Sequence, residues 1–306
     1  MSKIQTAKMQ EISLKKARSF HSGNKEKKYS FFNEAWKRFS RNKTALIGLV
    51  LVILLILAGI LAGLISPYEY DAIDSSVISQ APTAAHFFGT DNLGRDLFTR
   101  CMYGTRYSLP IAMASTLVCG FIGCMLGLVA AFFGGMTDNI IMRFMDILQA
   151  IPSILLAIAI LAVAGSGIPQ LIIALSFSGF ASFAKMMRAA VFTVKGSEYV
   201  DACQSIGAGN MRLMVKHVFP NSFGHVIIFA VSHVAQGISS ISALSYVGIG
   251  LQAPTPEWGA LLSQGRVYLS SAPHMVIFPG LMILITLLAF NLLGDGVRDA
   301  LDPRLK

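Results

Sequence analysis

The feature that most constrains this chain is a series of six long apolar runs. They fall near residues 46–65, 107–133, 138–164, 170–183, 221–247 and 274–293. A helix needs ~20 apolar residues to cross a bilayer, and several of these runs approach or exceed that length. In lipid every backbone N–H and C=O must be satisfied within the chain, so only helices or a closed barrel can span it. A barrel would read as ~10-residue segments of alternating polarity, and none is present. A charged fraction of 13% and a mean hydropathy of +0.61 leave a water-soluble fold no way to cover this surface. The expected class is an all-α polytopic membrane protein with six transmembrane helices.

Charge sets the expected orientation. Residues 1–45 carry twelve Lys/Arg and three acids, which accounts for the whole formal charge of +9. Positive flanks stay in the cytoplasm, so both termini are predicted on the cytoplasmic side of the membrane. Only Arg95, Arg100, Arg106 and Arg266 fall outside on this topology. Phe31, Phe32, Trp36 and Phe39, interleaved with Lys37 and Arg38, suit an amphipathic helix on the bilayer surface. Phosphate binding would not need those aromatics, so no nucleic-acid partner is expected. The predicted layout is a basic tail with that helix (1–45), a first span (46–66), an extracytoplasmic segment (67–106), a five-helix core (107–293) enclosing a polar loop (196–221), and a cytoplasmic tail (294–306). Gly59 with Gly63, and Gly123 with Gly127, are spaced for close helix contact. Pro152 predicts a kink in the third span, and Arg143 and Asp146 are placed to pair at i, i+3.

The polar loop is the only long hydrophilic segment inside the apolar part. Glu198, Tyr199, Asp201, Ala202, Cys203, Ile206 and Gly207 read as a short helix and a glycine break; a second helix is expected to stop at Pro220, with Asn221 or Ser222 capping the next span. Tyr199, Cys203 and Ile206 fall at i, i+4 and i+7, which predicts one apolar face. The order Asp201-Ala202-Cys203, Gly207, then His217-Val218-Phe219-Pro220 resembles the EAA loop of bacterial ABC importer permeases. Asp201, Cys203 and Phe219 depart from the usual Glu, Ala and Leu but keep the acid, the small side chain and the apolar bulk.

Three further segments resemble the dipeptide, oligopeptide and nickel subfamily of these permeases, the C-type subunit of the dipeptide permease in particular. They are Gly89-Thr90-Asp91-Asn92-Leu93-Gly94-Arg95-Asp96, Pro254-Thr255-Pro256-Glu257-Trp258-Gly259, and the ending from Asn291 to Pro303. The resemblance implies a type I ABC importer permease fold in a bacterial cytoplasmic (inner) membrane. It also implies a heterodimer with a second, homologous permease, two ATPase subunits that hold ATP and Mg, and an extracytoplasmic substrate-binding protein. The loop would then dock on the ATPase and drive alternating access. Asp91, Arg95 and Asp96 either brace the outer gate and receive the binding protein, or fold their loop through ion pairs and caps. Ser232, Gln236 and Ser240 share a face at i, i+4, i+8; they either line the substrate path or pack helices.

No chemistry of its own is expected. The chain has no G-x-x-x-x-G-K-S/T phosphate loop, no H-E-x-x-H and no G-x-S-x-G. Catalytic residues, metal ligands and bound cofactors are all expected to be none, and ATP hydrolysis to belong to partner subunits. The four cysteines show no metal-type spacing. Import of dipeptides or oligopeptides is the favoured function, with nickel or a metallophore as the alternative. A proton-driven carrier or a channel is a remoter one, because every Asp and Glu lies in a tail, in a loop or near a span end.

Overall fold

The computed structural model describes residues 36–301. Most of the basic tail, including Phe31 and Phe32 of the expected amphipathic helix, lies outside the described residues, as does 302–306. Within the described part, residues 36–39 are helical; Phe39 is buried beside Ala45 and Ala300, and Trp36 stacks on it from the exposed side.

Nine helices of eight residues or more make up the described chain. They are α1 (Lys43–Ile60), α2 (Leu97–Phe133), α3 (Gly135–Ala150), α4 (Ser153–Ala164), α5 (Ile168–Lys195), α6 (Glu198–Ser205), α7 (Asn210–Val247), α8 (Trp258–Gly265) and α9 (His274–Leu301). No strand forms among the described residues; an isolated bridge joins Thr90 and Asp96. Helices α1, α2, α5, α7 and α9 are long and apolar enough to cross a bilayer, and the bent pair α3–α4 adds a sixth when its two halves are counted as one broken span. Residues 61–96 and 248–273 gather at one end of the bundle, the loop end. Helix α6 lies at the other, the elbow end.

Several boundaries differ from the sequence expectation, each for a local reason. Helix α2 starts at Leu97 rather than near 107, because the Asp96 carboxylate accepts the Thr99 N–H at 2.7 Å and caps it there. Its 37 residues span about 55 Å, well beyond a ~30 Å hydrocarbon core. The predicted kink at Pro152 is a full break, with α3 and α4 meeting at 86°. Proline lacks the N–H for the helical bond and drives Ile151 into extended backbone (φ −89°, ψ 127°). Asp146 pairs with Lys185 of α5 at 2.7 Å, not with Arg143. The last helix runs to Leu301, past the Gly294 boundary, and Asn42 of the α1 N-cap donates to Asp299 on it at 3.0 Å.

Pro220 does not stop a helix. Helix α7 runs straight through it by widening to a π-helical turn over Met214–Val218, where the Phe219 N–H bonds Met214 O. The wider turn relieves the clash a proline ring would meet in an α-helix. Asn221 and Ser222 are therefore not caps. Their side chains donate back to His217 O at 2.6 Å and Val218 O at 2.9 Å.

Helix α2 packs along α5, and Gly123 and Gly127 are what allow it. A Cβ on either would run into backbone of α5, at Phe180 O and Ala184 O respectively. Helix α7 lies against α2, α5 and α9, and α1 lies on α9. Gly59 sits against Thr105 of α2. The apolar core has two main parts, one around Leu97, Ile238 and Trp258 and one at the elbow end around Met145, Phe183 and Val218.

Candidate functional site

Three groups of residues stand out, at the elbow, in the middle of the bundle and at the loop end. At the elbow, α5 ends at Gly196, and α6 lies across the bundle end. Gly207 then takes φ +84°, a left-handed conformation that glycine adopts without strain, and turns the chain into α7. Helix α6 is anchored by Val200, 4% exposed, which packs with Leu213, Met214 and Val218. Cys203 packs beside it. Of the apolar face expected from Tyr199, Cys203 and Ile206, Cys203 is half-buried and Tyr199 and Ile206 are 42% and 85% exposed. The inward pair is Val200 and Cys203, at i, i+3. Around the elbow four large apolar side chains, Tyr199, Ile206, Met211 and Val215, are exposed. Glu198, Asp201 and Ala202 of α6 are exposed too. Both acids lie in the first turn of α6, where negative charge suits the helix dipole.

In the middle of the bundle, a cavity of about 370 Å³ opens among α4, α5 and α7. Ser232, Gln236 and Ser240, the three residues singled out on α7, all line it, together with His233. Facing them are Ser178 and Ser182 of α5 and Ser153 at the start of α4. The serines of α5 went unremarked in the sequence, although their i, i+4 spacing is the same signal that marks α7. His233 is held by Thr116 Oγ1 at 3.3 Å and by the rings of Phe183 and Phe229. The polar side chains on this wall offer hydroxyls, one amide and an imidazole, and none is an acid, a lysine or an arginine. Such a surface exchanges hydrogen bonds with a polar solute without fixing its charge.

At the loop end, Asp91, Arg95 and Asp96 come together as a folding unit. Asp91 accepts the Arg95 Nε at 2.7 Å, the backbone N–H groups of Leu93 and Arg95, and the guanidinium of Arg100. Arg100, fully buried, was missed in the sequence; an arginine three positions into an apolar helix was the signal. Arg95 and Arg100 both reach Gln264 Oε1 of α8 at 3.2 Å, which ties the loop to the segment before α9. Asp96 caps α2 and takes His86 Nδ1 at 2.9 Å. Glu257, also fully buried, caps α8 and accepts from Ser108 at 3.0 Å, and Trp258 donates to Cys101 O at 2.9 Å. Among the described residues no three His, Cys, Asp or Glu side chains are grouped to hold a metal ion.

Comparison with known proteins gives a consistent answer. Residues 123–306 match the family "Binding-protein-dependent transport system inner membrane component", and residues 30–82 match "N-terminal TM domain of oligopeptide transport permease C". The "Glutathione transport system permease protein GsiD" of Pectobacterium atrosepticum is 41% identical over 276 residues, 90% of this chain and 92% of the relative. Its counterpart from Escherichia coli O157:H7 is also 41% identical, over 90% of this chain and 91% of its own. Among solved structures, an inward-facing conformation of the MetNI methionine ABC transporter superposes with a TM-score of 0.56 at 17% identity, covering 67% of this chain and 96% of that chain. That likeness concerns the fold, which is the type I importer permease arrangement. Proteins of this kind are transport subunits whose ATP hydrolysis resides in partner subunits. The chain belongs to the binding-protein-dependent ABC importer permeases of the inner membrane, in the dipeptide and oligopeptide family.

Proposed function

We propose that this chain forms one wall of the path for a small peptide, with glutathione as the first candidate, in an ATP-driven importer. The observation that carries the reading is the hydroxyl- and amide-lined cavity between α5 and α7. A peptide is a chain of hydrogen-bonding amides with charges that vary from one substrate to the next, and an uncharged polar wall passes it without trapping it. The relatives' printed substrate, glutathione, is such a molecule. ATP and Mg belong to two partner ATPase subunits. A second, homologous permease supplies the other wall, and an extracytoplasmic binding protein delivers the substrate.

The elbow is the coupling element in this reading. Its exposed apolar side chains, with the exposed acids Glu198 and Asp201 on the same short helix as Tyr199, suit a groove on an ATPase. Gly207 and Pro220 set the geometry on its far side, Gly207 through its turn and Pro220 through the wide turn of α7. The lysine and arginine excess of the tail and of α5 supports a cytoplasmic elbow and cytoplasmic termini. The unit built from Asp91, Arg95 and Asp96 would then face outward and brace the outer gate.

Uptake decides the substrate. Radiolabelled glutathione, a dipeptide and nickel are offered to cells lacking other importers for each. Vanadate-sensitive accumulation of glutathione is the expected result. Accumulation of nickel alone would overturn the peptide reading, and vanadate-insensitive uptake would overturn coupling to ATP.

A further inference from the structure

Helices α3 and α5 are joined by a polar ladder that runs from the elbow end to the cavity. Its first rung is Arg188 with Asp138, two parallel bonds of 2.6 Å each. The second is Lys185 with Asp146 at 2.7 Å. The third is Gln149, whose Nε2 donates to Ser182 Oγ at 3.1 Å. The fourth is Ser178, whose Oγ reaches Ser153 O across the break at 3.1 Å. On α5 these positions follow one face at i, i+4, i+7 and i+10. Two of the rungs, Ser178 and Ser182, also line the cavity.

Lys185 occupies the junction. Its ammonium touches the Asp146 carboxylate and also Gln149 Oε1, at 2.6 Å. An ammonium has only donors, so it holds the Gln149 oxygen toward itself and leaves the amide nitrogen for Ser182. The relay therefore runs Asp146, Lys185, Gln149, Ser182 and then the cavity. In the other direction, Lys185 lies about 15 Å along one unbroken helix from Lys195, where α5 passes into the elbow. Lys195 itself donates to Phe132 O of α2 at 2.7 Å, so the elbow end of α5 is tied down on a second side.

We propose that Lys185 is a positioning residue for coupling: it makes α3, α5 and the elbow move as one piece and so sets the cavity wall at Ser182 according to the state of the elbow. The inference rests on the reading that the elbow receives the ATPase. A purely structural lysine would serve stability, and its loss would be felt as unfolding. A coupling lysine can be removed with the fold intact, and then the cavity no longer responds to nucleotide.

The test uses the whole transporter, this chain co-expressed with its partner subunits and carrying Ser232→Cys in the cavity wall. Maleimide labelling of residue 232 is read by mass spectrometry with and without ATP and vanadate, so no substrate need be known. Lys185→Met is expected to shrink the nucleotide-dependent change in labelling rate at least tenfold, with ATP hydrolysis within about twofold of the parent. Lys185→Arg restores most of the change. The proposal is overturned if Lys185→Met keeps the full response, or loses it only together with ATPase activity and thermal stability. Ile206→Asp in the parent tests the elbow separately: if it leaves the nucleotide response intact, the docking reading is what fails.

Discussion

Helix α6 turns two apolar side chains in opposite directions, and substitutions there separate folding from docking. Val200 is 4% exposed against the elbow-end core, and Ile206 is 85% exposed. Val200→Ala removes two buried methyl groups. At about 0.8 kcal/mol per buried carbon this costs about 1.6 kcal/mol, and the space left behind raises it to about 2–2.5 kcal/mol. In a domain of this size that lowers the unfolding temperature by several degrees. Ile206→Ala removes little that is out of water in this chain, so its cost to stability is within about 0.5 kcal/mol. The expected pattern in uptake and in co-purification with the ATPase is the reverse. Ile206→Ala lowers both, whereas Val200→Ala lowers them only as far as it lowers the amount of folded protein. Thermal unfolding of the purified subunit and ATPase capture from the same preparation read the two effects side by side. Equal unfolding shifts, or full ATPase capture by Ile206→Ala, would refute the assignment of the outward face.

Asp91→Asn leaves Arg95 and Arg100 without their shared carboxylate in a buried setting, a loss of about 3–5 kcal/mol; the variant should fail to accumulate in the membrane. Asp96→Ala loses the α2 cap, about 1 kcal/mol, and the buried His86 contact, about 1–3 kcal/mol more, so it accumulates with a lowered unfolding temperature. Gly127→Val pushes a side chain into the Ala184 backbone of α5, and overpacking of this kind costs about 1–3 kcal/mol, again read by thermal unfolding. Gln236→Ala changes an exposed side chain on the cavity wall; uptake should fall with the unfolding temperature unchanged, and unaltered uptake would remove Gln236 from the path.

The crossings were legible because apolar length is a local property. The turn at Gly207 was too, since a glycine between two polar helical stretches marks it. What the sequence hid depends on partners distant along the chain. Lys185 and Arg188 read as the charged end of a span, yet α5 continues past both to Lys195 with their charges met by Asp146 and Asp138 on α3. Pro220 reads as a stop under the rules of an α-helix, and the π-helical turn that admits it has no simple periodic mark. Which side of α6 faces inward could not be read, because an eight-residue helix has too few positions to define a stripe, and one well-seated residue, Val200, decides its roll. The serines on α7 were found and those on α5 were not, though only together do they enclose a cavity.

The break between α3 and α4 bears on how the cell builds this protein. Helix α4 has twelve residues, about 18 Å of rod, too short to hold a bilayer by itself. Helix α3 carries Asp138, Arg143 and Asp146 and cannot partition into lipid alone. Neither half is therefore a complete insertion signal, and the crossing becomes secure only when α5 emerges from the ribosome and supplies Ser178, Lys185 and Arg188. A nascent chain ending at Ala164 should leave this crossing unanchored, whereas one extended to Lys195 should hold it, a difference that engineered glycosylation tags on the two truncations would reveal.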